Sequence, residues 1–125
     1  LSLHDALPIY GVDEINQKFF YQVALPTPLD RTLRIGSLDP TVRDEQLTMR
    51  GGVNEATFSP TFDYCTLTWS DANTPPEVTL CDRKGKTLRT LTDNARVRKL
   101  RQDYQFVDKT FFKFKSCFNC FKTSF

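Results

Sequence analysis

Three groups of residues in this 125-residue chain have types and spacings that could do chemistry. His4 beside Asp5 is the only histidine, and a His–Asp pair can act as a general base oriented by its carboxylate. Cys117-Phe118-Asn119-Cys120 is a C-x-x-C, which can offer two thiolates to zinc or form a redox dithiol. Ser59 and Ser70 carry hydroxyls that need an adjacent base before they can act as nucleophiles.

None of the three holds as a site. LSLHDALPI has no basic n-region, continuous apolar core or small-residue cleavage site, so it is a poor signal peptide. It resembles the translation of a common short-read sequencing adapter at every residue from Leu1 to Ile9, and residues 1–9 are set aside as adapter-derived. Without His4 the chain has no imidazole, so its own residues cannot run a Ser–His–Asp or Cys–His mechanism. A structural zinc site needs four ligands, and the other two cysteines, Cys65 and Cys81, lie in separate apolar strands far upstream. A thioredoxin-like dithiol needs a βαβ setting that is missing. Cys65 and Cys81 read as small buried residues. Asp44-Glu45 reads as a solvated turn pair rather than an acid/base couple. Trp69-Ser70-Asp71 is not a Trp-Asp propeller signature, because its tryptophan and aspartate are separated. No catalytic, cofactor-binding or metal-binding residue is assigned, and no cofactor is expected.

Composition sets the frame for the elements. About 116 residues remain beyond the adapter-like stretch, enough for one small domain or a piece of a larger one. At 39% hydrophobic, 13% aromatic and 26% charged residues, the chain is globular rather than disordered. A net charge of +2, or +3 without Asp5, is too mild to argue for nucleic acid or an anionic membrane. Arg96, Arg98, Lys99 and Arg101, with Phe111, Phe112 and Phe114 nearby, could suggest a nucleic-acid patch. The aromatics alternate with Lys113 and Lys115, however, which places them on one face of a strand in a core. No run approaches the roughly 18 apolar residues of a membrane span.

Strands with turn punctuation occupy the middle of the chain. KFFYQVAL (residues 18–25) is aromatic and β-branched and ends at Pro26 and Pro28. RTLRIGSL (31–38) alternates, Leu38-Asp39-Pro40 marks a turn, and a short EQLT follows. After Gly51-Gly52 come ATFSP and FDYCTLTW, then PEVTLCD, a Lys84-Gly85 turn and KTLRTLT. The two halves overlay with a shift of about 43 to 45 residues, which puts Val23 on Thr68, Asp39 on Asp82 and Leu47-Thr48 on Leu91-Thr92. A period in the 40s with several strands per unit is the pattern of propeller blades, each burying its two faces between neighbours. From Asp93 the period changes. DNARVRKLRQDY has Asp93 or Asn94 as N-cap and apolar Val97, Leu100 and Tyr104, which predicts an amphipathic helix of about three turns with a basic outer face. KTFFKFK then returns to strand alternation.

GVNEATFSPTFDYCTLTWSDANTPPEVTLCDRKGKTLRTLTDN resembles the end of the β-propeller of a dipeptidyl peptidase IV-like serine peptidase, within the prolyl oligopeptidase family. The resemblance is carried by Phe58-Ser59-Pro60, Ser70, Pro75-Pro76, Asp82, Gly85 and Leu91 before Asp93-Asn94. Upstream, Asp13, Glu14, Phe20, Arg31 and Leu33 are similar to the preceding blade, and Arg34 stands where an aromatic is usual. The resemblance implies an exported, periplasmic or extracellular exopeptidase that releases N-terminal dipeptides from peptide substrates, with a homodimer as a possible state of the parent. It also implies that the catalytic Ser, Asp and His follow the end of this chain. The family's substrate-amine-binding Glu pair has no match here, since Asp13-Glu14 and Asp44-Glu45 are not at that motif. The tail SCFNCFKTSF departs from the family and is read as an artefact or frameshift.

The chain is therefore expected to be mainly β. Antiparallel meanders over 10–92 form about two terminal propeller blades, 93–108 a linker helix, and 109–125 the first strand of an α/β-hydrolase domain, with 116–125 set apart. Its expected role is scaffold of a dipeptidyl peptidase without activity of its own. The competing expectation is a stand-alone, non-catalytic β-domain that binds a protein or carbohydrate partner.

Overall fold

The chain is seen in a computed structural model that describes residues 8–115. Where apolar residues recur at every second position, the backbone extends and one strand face is buried. In β6 (Tyr64–Ser70), Cys65, Leu67 and Trp69 are buried while Thr66, Thr68 and Ser70 are half-exposed. The other strands are β1 (Ile9–Asp13), β2 (Lys18–Val23), β3 (Thr32–Ser37), β5 (Val53–Phe58), β7 (Glu77–Asp82) and β8 (Thr87–Thr92), with a two-residue β4 (Glu45–Gln46). They form two four-stranded sheets with strand orders β1-β2-β3-β4 and β5-β6-β7-β8, and every neighbouring pair is antiparallel. Two consecutive meanders of this kind are the architecture of propeller blades.

The sequence repeat has a structural counterpart. The β3–β4 and β7–β8 connections each begin on an aspartate that folds back on its own turn. Asp39 Oδ1 accepts from the Thr41 N–H at 2.9 Å, and Asp82 Oδ1 accepts from the Lys84 N–H at 2.9 Å. Such a short carboxylate satisfies a turn N–H without help from another strand. Gly85 completes the second turn with φ +80°, a conformation open to glycine at little cost.

The two sheets bury one shared core. Phe20, Leu33, Ile35 and Leu47 come from the first sheet and its edge, and Ala56, Cys65, Leu67 and Cys81 from the second. Phe20 is the main aromatic bridge, with ring centroids 4.4 Å from Phe58 and 5.3 Å from Phe62. Thr48 is also buried, and its Oγ1 accepts from the Leu33 N–H at 3.0 Å. That bond satisfies a donor left open by the short β4.

Three expectations are corrected. The strand expected in KTFFKFK does not form among residues 109–115, and Phe111, Phe112 and Phe114 are exposed rather than packed in a core. A strand needs a neighbour to pair with, and none lies beside this segment among the described residues. The helix α1 (Ala95–Asp103) forms but is shorter than three turns, and Val97, Leu100 and Tyr104 face solvent. Its basic face is not wholly outward, because Arg98 reaches back to Glu77 at the start of β7 and Arg101 to Asn73 in the β6–β7 loop. Finally, β1 was not foreseen. Its first residue, Ile9, pairs with Tyr21 inside the stretch set aside as adapter-like.

Two outcomes follow from this packing. Leu33 is 1% exposed at the centre of the core, so Leu33→Ala is expected to cost about 2–5 kcal/mol. A urea titration checks this, and a loss below about 1 kcal/mol is incompatible with the packing described. The second outcome concerns pH. The side-chain donors of Asn16, Thr27 and Thr41 hold the carboxyls of Asp13, Asp30 and Asp39, respectively, below their ordinary value of 3.8, with backbone N–H groups adding to each. Carboxyls depressed by folding contribute stability that is complete above the unfolded value and is lost as pH falls through the folded values. The urea midpoint should therefore be flat with respect to these groups above about pH 5 and fall below about pH 4. Asp30→Asn should shrink that acid slope, and an unchanged slope in this variant contradicts the assignment.

Candidate functional site

The joint between the sheets is where polar side chains concentrate. After the Pro26–Pro28 loop, Asp30 accepts from the Thr27 hydroxyl at 2.5 Å, the Thr27 N–H at 3.1 Å and, across the joint, the Gly52 N–H at 2.7 Å. Gly52 has φ +96°, and a Cβ there would lie 2.7 Å from the Ser70 carbonyl oxygen, so the joint requires glycine. Arg31 and Val53 then make a parallel bridge, with Arg31 N–H to Gly52 O at 2.8 Å and Asn54 N–H to Arg31 O at 2.9 Å. Two buried amides finish it. Asn54 Nδ2 donates to the carbonyls of Arg31 and Arg50, and Gln22 Nε2 donates to the Asn54 carbonyl at 2.7 Å. Buried amides are costly unless paired, and these are paired across the sheets.

From the joint a charged chain runs to α1 and beyond. The Arg50 guanidinium lies 3.0 Å from the centre of the Trp69 ring, and the indole Nε1–H donates to the Gly51 carbonyl at 2.6 Å. Glu77 receives Arg50 at 2.8 Å and Arg98 of α1 at 2.7 Å, so one carboxylate joins the second sheet to the helix. Arg101 donates to the Asn73 carbonyl and pairs with Asp108. The Asn73 amide then holds Lys109 from both sides. Its Nδ2 donates to the Lys109 carbonyl at 2.9 Å, and its Oδ1 accepts from the Lys109 N–H at 2.7 Å. A cavity of about 550 Å³ lies beneath, bounded by Asp30, Val53, Asp71, Asn73 and Phe111. This arrangement fixes where the chain leaves the sheets. It contains no pair of groups placed to move a proton to or from a substrate.

A smaller cleft of about 330 Å³ opens at the turn ends, where Arg83 pairs with Asp63 at 2.7 Å and lies 4.0 Å from the buried Asp13. Lys18 and Glu45 face each other at 3.7 Å on its rim.

The residues considered from the sequence are dispersed. The Ser59 Oγ accepts from the Tyr64 N–H at 3.2 Å in a turn, and Ser70 ends β6. Asp44 and Glu45 are exposed, and Asp44 accepts the Tyr21 hydroxyl. Burial, with that bond adding to it, pushes the Tyr21 phenol up to about 12. Cys65 and Cys81 are buried at 2% and 0% exposure. Cys117, Cys120, His4 and Asp5 lie outside the described residues. Among the described residues no three His, Cys, Asp or Glu side chains come together to hold a metal, and no helix is long and apolar enough to cross a membrane. Sequence reasoning did not single out Gln22, Asn54, Arg50 or Asn73. Asp71-Ala72-Asn73-Thr74 is legible as a turn, since Asp71 Oδ1 accepts from the N–H groups of Asn73 and Thr74. The partner of the Asn73 amide, 36 residues downstream, is not legible locally.

This fold has counterparts in known proteins. Residues 5–76 match the family described as the dipeptidyl peptidase IV (DPP IV) N-terminal region. Among solved structures, the crystal structure of Porphyromonas gingivalis dipeptidyl peptidase 4 is similar at 35% sequence identity and a TM-score of 0.68. The likeness covers 80% of this chain and 14% of that one, so this chain spans a small part of the relative's length. No curated protein matches the chain. Matched over more than half its residues, the chain belongs to the family of the dipeptidyl peptidase IV N-terminal region.

Proposed function

We propose that the chain is propeller scaffold of a serine-type exopeptidase that releases N-terminal dipeptides, and that the catalytic triad of that enzyme lies outside it. The observation that carries this reading is the coincidence of the family match over residues 5–76 with two consecutive four-stranded meanders. The chemistry of the chain agrees with it. Serine acyl transfer needs a base beside the nucleophile; Ser59 sits in a turn and Ser70 at a strand end, and no histidine lies among the described residues to serve either. In the parent enzyme the blades restrict access to peptide ends, and α1 with residues 109–115 leads toward the hydrolase domain. The clamp of Asn73 on Lys109 supports that role, because it sets the direction of the chain as it leaves the sheets.

The purified 125-residue chain is expected to show no turnover of a Gly-Pro-type chromogenic dipeptide. Turnover that a serine-reactive fluorophosphonate abolishes would overturn the scaffold reading. The genomic reading frame provides a second check. Continuation into a G-x-S-x-G nucleophile elbow supports a peptidase parent, and a stop codon near Phe125 in an assembled genome favours a stand-alone binding domain.

A further inference from the structure

Cys65 and Cys81 are sixteen positions apart in sequence and directly opposite each other in the β6–β7 pair. Opposed residues of an antiparallel pair share a sheet face with Cβ atoms about 4.5–5.5 Å apart, so closing a disulfide draws these two strands together toward the roughly 3.5–4.5 Å that it needs. Their Cα separation, about 4.5–5.5 Å, falls within the range of about 4.4–6.8 Å that a disulfide spans. Both thiols are free and both are buried. They sit among weak partners rather than a polar network. Cys65 Sγ lies 3.8 Å from the Asp82 carbonyl oxygen, and Cys81 Sγ lies 3.5 Å from Thr79 Oγ1 and 3.8 Å from Thr87 Oγ1. Sulfur bonds of that length give up little when the side chains rotate toward each other.

We propose that Cys65 and Cys81 form a reversible redox pair, closing a cross-strand disulfide that locks β6 to β7 when a low-molecular-weight disulfide is the oxidant. Access comes through β8. All six of its residues are exposed and β7 is its one partner among the described residues, so it is an edge strand that can open locally. Thr87 of β8 covers Cys81, and lifting β8 therefore uncovers that sulfur first. Burial pushes the Cys65 thiol up to about 12, which suits the second position in the sequence of events.

The exchange balances in two steps. The Cys81 thiolate attacks one sulfur of the small disulfide, forming a mixed disulfide and releasing one thiolate. The Cys65 thiol then gives up its proton and attacks the Cys81 sulfur, expelling the second small thiolate. One small-molecule S–S bond is broken and one protein S–S bond is made. The protein loses two electrons and two protons, and the oxidant is reduced to two thiols.

The test uses the full chain carrying Cys117→Ser and Cys120→Ser, incubated with oxidised glutathione. A chymotryptic cut after Trp69 separates the two cysteines. The expected product is a Cys65–Cys81 linked peptide pair seen before reduction and lost after dithiothreitol. Its formation should speed up at least about threefold in urea below the unfolding transition, where β8 opens. Oxidation should raise the thermal midpoint by roughly 5 °C or more. In Cys65→Ser the reaction is expected to stop at a glutathione adduct on Cys81. If Cys65 and Cys81 keep full free-thiol titre under these conditions, or if the reaction with both cysteines present halts at a stable mixed disulfide, the proposal is overturned.

Discussion

One buried seam holds the rest of the structure in place. A sheet has two faces, and a meander of four short strands cannot cover either of them with its own side chains. Here the first sheet lays Phe20, Leu33 and Ile35 against Ala56, Cys65, Leu67 and Cys81 of the second. Once that face is committed, the strand period fixes the position of every other side chain, since a slip of one residue would turn the apolar set toward water. The polar elements of the joint follow from the same closure. Gln22 and Asn54 are buried because the sheets approach there, and each remains tolerable because its amide meets a backbone carbonyl on the other side.

The opposite side of the second sheet shows what happens without such closure. β8 is exposed along its whole length, with Leu88 and Leu91 each about half-exposed. The apolar positions of α1 are in the same condition, so polar contacts rather than an apolar face hold that helix to the sheet. Glu77 decides its placement. It is only about one-fifth exposed and lies between Arg50 and Arg98, so two cations offset the loss of water around one carboxylate. Exposed ion pairs contribute little on their own, which makes the less exposed carboxylate the anchor of this arrangement.

The strands could be read from the sequence because each carries its own signal. Cys65, Leu67 and Trp69 alternate with Thr66 and Thr68, and the aspartates of the two equivalent turns, Asp39 and Asp82, satisfy N–H groups within their own loops. Such signals lie within a few residues and survive without tertiary information. The failures occurred where the deciding partner is distant. The alternation in KTFFKFK is sound as a pattern, yet a strand is a property of two segments and the second is not among those described. The helix period was recognised, but its orientation was not, because Glu77 and Asn73 sit about twenty to thirty residues before Arg98 and Arg101. β1 escaped notice because its pairing with β2 crosses the boundary drawn at Ile9.

The exit of the chain can be understood from a single side chain. A backbone segment that leaves a sheet gives up the ladder that satisfied its N–H and C=O groups, and its direction is then set by whatever replaces that ladder. At Lys109 the replacement is the Asn73 amide, which has one donor and one acceptor in a fixed plane and so meets both groups of one residue at once. The contact imitates one rung of a β-ladder without a second strand. Arg101 strengthens it by donating to the carbonyl of Asn73, the same residue that carries the amide. Because the turn at Asp71 holds Asn73, the path of residues 109–115 is tied through one loop to β6 and thence to the buried seam. An aspartate at position 73 could accept from Lys109 but not donate to it, and a serine could not reach both groups. The clamp therefore depends on an amide side chain of this length.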